Sequence, residues 1–171
     1  KILTEGRQKL LEHRNKERPR PGLDDKIVVS WNGLAIGALA RTSAALSSQD
    51  PSRSKTYLTA AEKAATFLQK ELYNPDTKTL IRVYREGRGD APGFADDYAY
   101  LISGLISLYE ATFNDSYLRW ADDLQQTQLR MFWDKQHLGF FSTPEDQKDL
   151  ILRLKDGMDN AEPGTNGVSA Q

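Results

Sequence analysis

The sequence predicts an all-α fold, part of an (α/α)6 toroid built from an inner and an outer ring of helices, and three observations carry that expectation. Helical stretches that are apolar all round alternate with stretches that are apolar on one side only. Pairs of residues recur in kind at a spacing of 60. Short alternating segments stand between successive helix pairs. A helix apolar on every face has to be covered on every face, whereas a one-sided helix meets water. Two concentric rings satisfy both.

The elements follow in order. Residues 1–17 read as a leading charged helix with sparse apolar positions at Ile2, Leu3, Leu10 and Leu11. RPRPG at 18–22 ends it, because two prolines and a glycine cannot continue a helix. Residues 18–30 form a loop that leads into the first inner helix, WNGLAIGALARTSAAL (31–46), whose one charge is Arg41. SSQDPSRS reads as a connection, and an outer helix is expected at 56–73. Its Tyr57, Ala61, Ala64, Ala65, Leu68 and Leu72 form one stripe at helical spacing. NPDTK is a turn, LIRVY (80–84) a short strand and EGRGDAPG a loop.

A second inner helix spans about 97–113, with Glu110 its only charge after Asp97. A second outer helix at 115–133 places Tyr117, Ala121, Leu124, Gln128, Met131 and Phe132 on one face. LGFFST and LILRL read as short strands, and KDGMDNAEPG as a loop. The repeat is specific: Tyr57-Leu58 returns as Tyr117-Leu118, Tyr73-Asn74 as Trp133-Asp134, and Leu80-Ile81 as Phe140-Phe141. Residues 1–171 are therefore expected to be one partial toroid domain, with 31–171 supplying about two and a half helical hairpins. The opening KILTEGRQKLL and the closing EPGTNGVSAQ read as cuts within a longer protein.

Composition narrows the function classes. The chain is 39% apolar and 27% charged, as ordinary globular domains are. A net charge of -1 gives no pull toward nucleic acid or an anionic membrane, so neither is an expected partner. No apolar run approaches the roughly 18 residues of a membrane span. With no cysteine there is no disulfide and no thiolate chemistry. His13 and His137 lie far apart in sequence, so no metal site is expected. GRGDAPG lacks the spacing and strand context of a dinucleotide loop, and no cofactor is expected.

Chemistry is expected where loops enter the inner helices. LDDKIVVSWNG, PGFADDYAY and LKDGMDNAEPGTN all carry acids, so Asp24, Asp25, Asp96, Asp97, Asp156, Asp159 and Glu162 would converge on one mouth of the ring. Carboxylate pairs beside aromatic walls suit sugar chemistry. One acid protonates a leaving oxygen, another activates water or attacks, and Trp31 or Tyr98 stacks on the ring. The competing account is structural: aspartate is a favoured helix cap, and buried aromatics are core anchors more often than platforms. One aspartate suffices for a cap, and Asp96-Asp97 supplies two.

RPRPGLDDKIVVSWNGLAIGALA, PGFADDYAYLISGLISLYEATF and ILRLKDGMDNAEPGTNGVSA together resemble the spermatogenesis-associated protein 20 family, from about residue 18 to the end. The resemblance implies a C-terminal domain of six-hairpin glycosidase type, joined in the longer protein to a thioredoxin-like domain that would be its partner. It is similar to N-acylglucosamine 2-epimerases and to glycoside hydrolases on (α/α)6 barrels, so a small-molecule sugar is the implied ligand. The positions that match the motifs are Asp24, Asp25, Lys26, Trp31, Asn32, Asp96, Asp97, Tyr98, Glu162 and Asn166. Catalysis is expected from Asp97 or Asp96 as acid with Asp25 or Glu162 as base. Asp24, Lys26, Trp31, Asn32, Tyr98 and Asn166 are expected to bind substrate. A non-catalytic scaffold and an epimerase with histidines elsewhere in the protein are the other readings.

Overall fold

The computed structural model describes residues 2–147 and 150–171. Residue 1, the first of the expected leading helix, lies outside the described residues. The order is α1 (Ile2–Glu17), β1 (Ile27–Val28), α2 (Val29–Leu46), α3 (Pro51–Glu71), β2 (Tyr73–Asn74), β3 (Thr79–Leu80), β4 (Val83–Tyr84), α4 (Ala95–Thr112), α5 (Asp115–Phe132) and α6 (Thr165–Ser169). α2 pairs with α3, α4 pairs with α5, and the two hairpins meet along α2 and α4. α2 and α4 are thus the inner helices, and α6 begins a third beside α4. This is the arrangement of an α/α toroid segment.

Glycine makes the inner contact. A Cβ on Gly33 would fall 2.5 Å from the backbone of Tyr100 and Leu101, and one on Gly104 would strike the Gly33 carbonyl. The inner helices therefore touch backbone to backbone, which no larger residue permits. Around that crossing the core gathers Ile36 and Ala40 of α2 with Leu101, Leu105 and Leu108 of α4. The outer helices add their stripes: Ala61, Ala65 and Leu68 from α3, then Ala121, Leu124 and Phe132 from α5, all buried.

Several local expectations change. LGFFST makes one isolated bridge, Trp133↔Phe140, rather than a strand, and the inner helices start at Val29 and Ala95 rather than at 31 and 97. The first outer helix starts at Pro51 rather than near 56, because Asp50 caps it by accepting from the Arg53 amide at 3.0 Å and Pro51 is pre-set for a first helical turn. Residues 150–154 are irregular rather than a strand. LILRL has no strand beside it, and Ile151, Leu152 and Leu154 are exposed. LIRVY divides, Leu80 ending β3 and Val83 opening β4, which pairs antiparallel with β1 in the register Ile27↔Tyr84 and Val28↔Val83. The last pairing makes Ile27–Val28 of the expected loop part of the wall beneath the inner-helix starts.

Candidate functional site

Asp97 is the hub of those starts. It is the third residue of α4 and fully buried. One carboxylate oxygen accepts from the Ser30 amide of α2 at 2.9 Å. The other accepts from the Phe94 amide at 2.9 Å and from Arg82 Nη1 at 2.7 Å. This is half of a capping box, since phenylalanine has no side-chain acceptor to complete it. Burial, reinforced by the charge of Asp96, pushes the Asp97 carboxyl up to about 6 against the pull of Arg82 and the amides. It remains ionised at neutral pH, as its three donors require.

Asp96 faces the other way. Both of its oxygens take the Arg82 fork, Nη1 at 2.8 Å and Nη2 at 3.0 Å, and its side chain keeps 20% of its exposure. Burial works against the charge on Arg82, but Asp96 and Asp97 outweigh it and raise the guanidinium above its ordinary value. The Phe94 ring lies 4.7 Å from the guanidinium carbon. Arg82 was not among the residues expected at the site. The signal for it was a single cation inside the apolar alternation of LIRVY.

Above this network opens a pocket of about 350 Å³, lined by Phe94, Asp96, Tyr100, Ser142, Asp156, Asn160, Ala161, Glu162 and Thr165. Glu162 Oε1 accepts from Trp31 Nε1 at 2.6 Å, which brings the half-exposed indole of α2 to the rim. Tyr100 is buried and its hydroxyl donates to the Pro163 carbonyl. Asp159 Oδ1 accepts from the Gly164 amide at 2.7 Å and turns the loop into α6. The pocket therefore unites Asp96 and Glu162 with Asp156, and Trp31 through Glu162.

The other expected residues stand elsewhere. Asp25 pairs with Arg85 at 2.8 Å and Asp24 with Lys26 at 3.0 Å, all on exposed side chains outside the lining. Lys26 Nζ reaches to 5.9 Å from the Trp31 ring. Asn32 donates back to the Val28 carbonyl at 2.8 Å. Tyr98 lies in the core, its hydroxyl accepting from the Leu80 amide at 3.0 Å. Asn166 binds the Phe140 amide and carbonyl at 2.6 and 3.0 Å and the Asp156 carbonyl at 2.9 Å, clamping the pocket loop to the second hairpin. Among the described residues no acidic or histidine cluster has the makings of a metal site, and no helix is long and apolar enough to cross a membrane.

No protein-family model matches the chain. It is 39% identical to spermatogenesis-associated protein 20 of Mus musculus and of Homo sapiens, over 99% of its own length. The identity with the Rattus norvegicus protein is 37%. The chain spans 22% of the length of these relatives. Among solved structures it is similar to cellobiose 2-epimerase from Spirochaeta thermophila DSM 6192, with a TM-score of 0.59 and 17% identity, covering 81% of this chain and 33% of that one. D-mannose isomerase matches with a TM-score of 0.52 and 14% identity, over 68% of this chain and 32% of that one. Both share the (α/α)6 toroid. Over nearly its whole length this chain is thus similar to one stretch of spermatogenesis-associated protein 20, and it has the fold of an (α/α)6 toroid segment.

Proposed function

We propose that the segment forms one wall of a carbohydrate-binding mouth, in a toroid that acts on an uncharged sugar by carboxylate acid/base chemistry. The observation that carries the reading is the pocket itself, where Asp96, Asp156 and Glu162 share a rim with the Trp31 indole and, among the described residues, no basic side chain lines the cavity. Carboxylates accept from sugar hydroxyls, and an indole face suits the apolar face of a sugar ring. The toroid neighbours, an epimerase of cellobiose and an isomerase of mannose, agree with that ligand class. Three acids would repel a uronic acid or a sugar phosphate.

Glu162 is the proton-transfer group in this reading. One of its oxygens is oriented by Trp31, and the other has no hydrogen-bond partner among the described residues. Asp96 binds substrate hydroxyls, and Asp97 sets the wall from beneath. Residues 31–171 supply about two and a half hairpins of the ring, after the helix at 1–17 and the entry segment at 18–30, which ends in β1 and the first residues of α2. A thioredoxin-like domain of the same protein is its neighbour.

A second reading is favoured by one observation: Asp97, Tyr98 and Asn166 spend their polar atoms on internal bonds. In that reading the segment is a scaffold with no ligand. An epimerase reading would need histidines from other parts of the protein, since neither His13 nor His137 lines the pocket. Calorimetric titration of the intact protein with cellobiose, mannose and glucuronic acid separates these accounts. Binding of a neutral sugar, weakened in Asp96→Asn and absent for glucuronic acid, with turnover but not binding lost in Glu162→Gln, is the expected result. No heat with any sugar would leave the scaffold.

A further inference from the structure

We infer that Arg82 is the positioning residue of this site, fixing the Asp96 carboxylate so that its pocket-facing oxygen accepts from a sugar hydroxyl in one set direction. The inference rests on the proposed carbohydrate reading and adds to it a residue and a recognition geometry.

An aspartate at the start of a helix is ordinarily free to turn back toward its own first-turn amides. Asp96 does not. Its two oxygens lie on the two nitrogens of one planar fork, at 2.8 and 3.0 Å. A carboxylate offers about four lone-pair sites, and a bidentate fork occupies one on each oxygen. The remaining two lie on the outer edges of the carboxylate, and Asp96 lines the pocket. The two sites diverge from the flanks of the carboxylate in a fixed plane, so the oxygen edge that faces the pocket presents one acceptor direction to a sugar hydroxyl.

The fork is itself held from every direction. The Arg82 amide donates to the Ala91 carbonyl at 2.9 Å, and its carbonyl accepts from the Val29 amide at 3.0 Å. Nη1 is shared with buried Asp97 at 2.7 Å, and Phe94 lies against the guanidinium. Arg82 is thereby tied to the starts of both inner helices, and Asp96 inherits that rigidity. Lysine has charge without the fork, so it cannot hold both oxygens in one plane.

The test uses the intact protein and the two probes cellobiose and mannose, with affinity read by calorimetry and stability by thermal melting. Arg82→Lys is expected to fold and to lose at least about tenfold in affinity, as is Asp96→Asn. The double variant is expected to be no weaker than either single one, because both remove the same oriented carboxylate. An arginine with only a structural role would lower the melting temperature and leave affinity unchanged, or add its effect to that of Asp96→Asn. Either outcome overturns the inference. Should Arg82→Lys fail to fold, Asp96→Glu moves the carboxylate out of the fork while keeping its charge. The same loss is expected there, and retained affinity would again overturn the proposal. If neither sugar binds the unaltered protein, the carbohydrate reading fails and the inference falls with it.

Discussion

The two short hairpins at 72–81 and 132–141 are the same structure built twice, and they differ where the site is made. Ile81 donates to the Leu72 carbonyl at 2.8 Å, and Phe141 to the Phe132 carbonyl at 2.9 Å. Tyr73 faces Leu80, and Trp133 faces Phe140. Asn74 accepts from the amides of Asp76 and Thr77, and Asp134 from those of Gln136 and His137. Even the left-handed residue recurs, Lys78 at φ 57° and Leu138 at φ 59°.

The first hairpin is finished by two separate groups. The Tyr98 hydroxyl takes the Leu80 amide, and the Gly93 amide takes the Leu80 carbonyl at 2.8 Å. In the second, the single Asn166 amide serves both groups of Phe140. Gly139, at φ 78°, makes room for it, since a Cβ there would stand 3.0 Å from Asn166 Oδ1. The next backbone position differs too: Arg82 in the first unit, Ser142 in the second. Each carbonyl receives an amide from an inner helix, Val29 or Ala95, at 3.0 Å. One unit uses that position to bury an ion network, and the other leaves it small beneath the pocket.

Breaking the first unit at its charge network should have the largest effect. Asp97→Ala takes one of its two carboxylates from Arg82 and strands two buried amides, and should destabilise the intact protein by about 3–5 kcal/mol in denaturant unfolding. Asn166→Ala should cost the second unit about 2–3 kcal/mol and speed amide exchange at Phe140. Its counterpart Tyr98→Phe, which orphans one amide, should cost about 1–2 kcal/mol. Equal losses would dissolve the comparison.

Acid should separate the units more finely. The hydrogen bond from Lys155, against the opposing effect of burial, and the amides of Gln136 and His137 hold Asp134 below the ordinary carboxylate range. The stability it contributes is therefore complete above the unfolded value of about 3.9 and is lost as pH falls through the lower folded value. Asn74 has no such titration. Asp134→Asn should flatten the acid limb of a pH–stability curve. Smallest of all, Leu138→Gly should gain less than about 1 kcal/mol in thermal melts by relieving the left-handed backbone.

Much of the fold is legible because the repeat of 60 residues falls on positions that touch: Tyr73 faces Leu80 in the first unit, and their counterparts Trp133 and Phe140 face each other in the second. LILRL misled because alternation shows a strand's faces but not whether another strand lies alongside. The Asp50-Pro51 start is legible as a cap followed by proline, although the apolar stripe of the helix begins only at Tyr57. At the site the aspartate doublet was visible, but its division was not. Which of two neighbouring carboxylates turns inward depends on Arg82, which stands 14 and 15 residues away and is brought in by a turn.

The glycine crossing of α2 and α4 acts as a mechanical stop. With backbone against backbone at Gly33 and Gly104, no side chain remains there to change rotamer and let the helices slide. Trp31 on one helix and Asp96 and Tyr100 on the other therefore move as one rigid body. Any adjustment of the mouth to a guest falls to the 156–163 segment, which Asn166, Trp31 and Tyr100 hold by hydrogen bonds that can be remade one at a time.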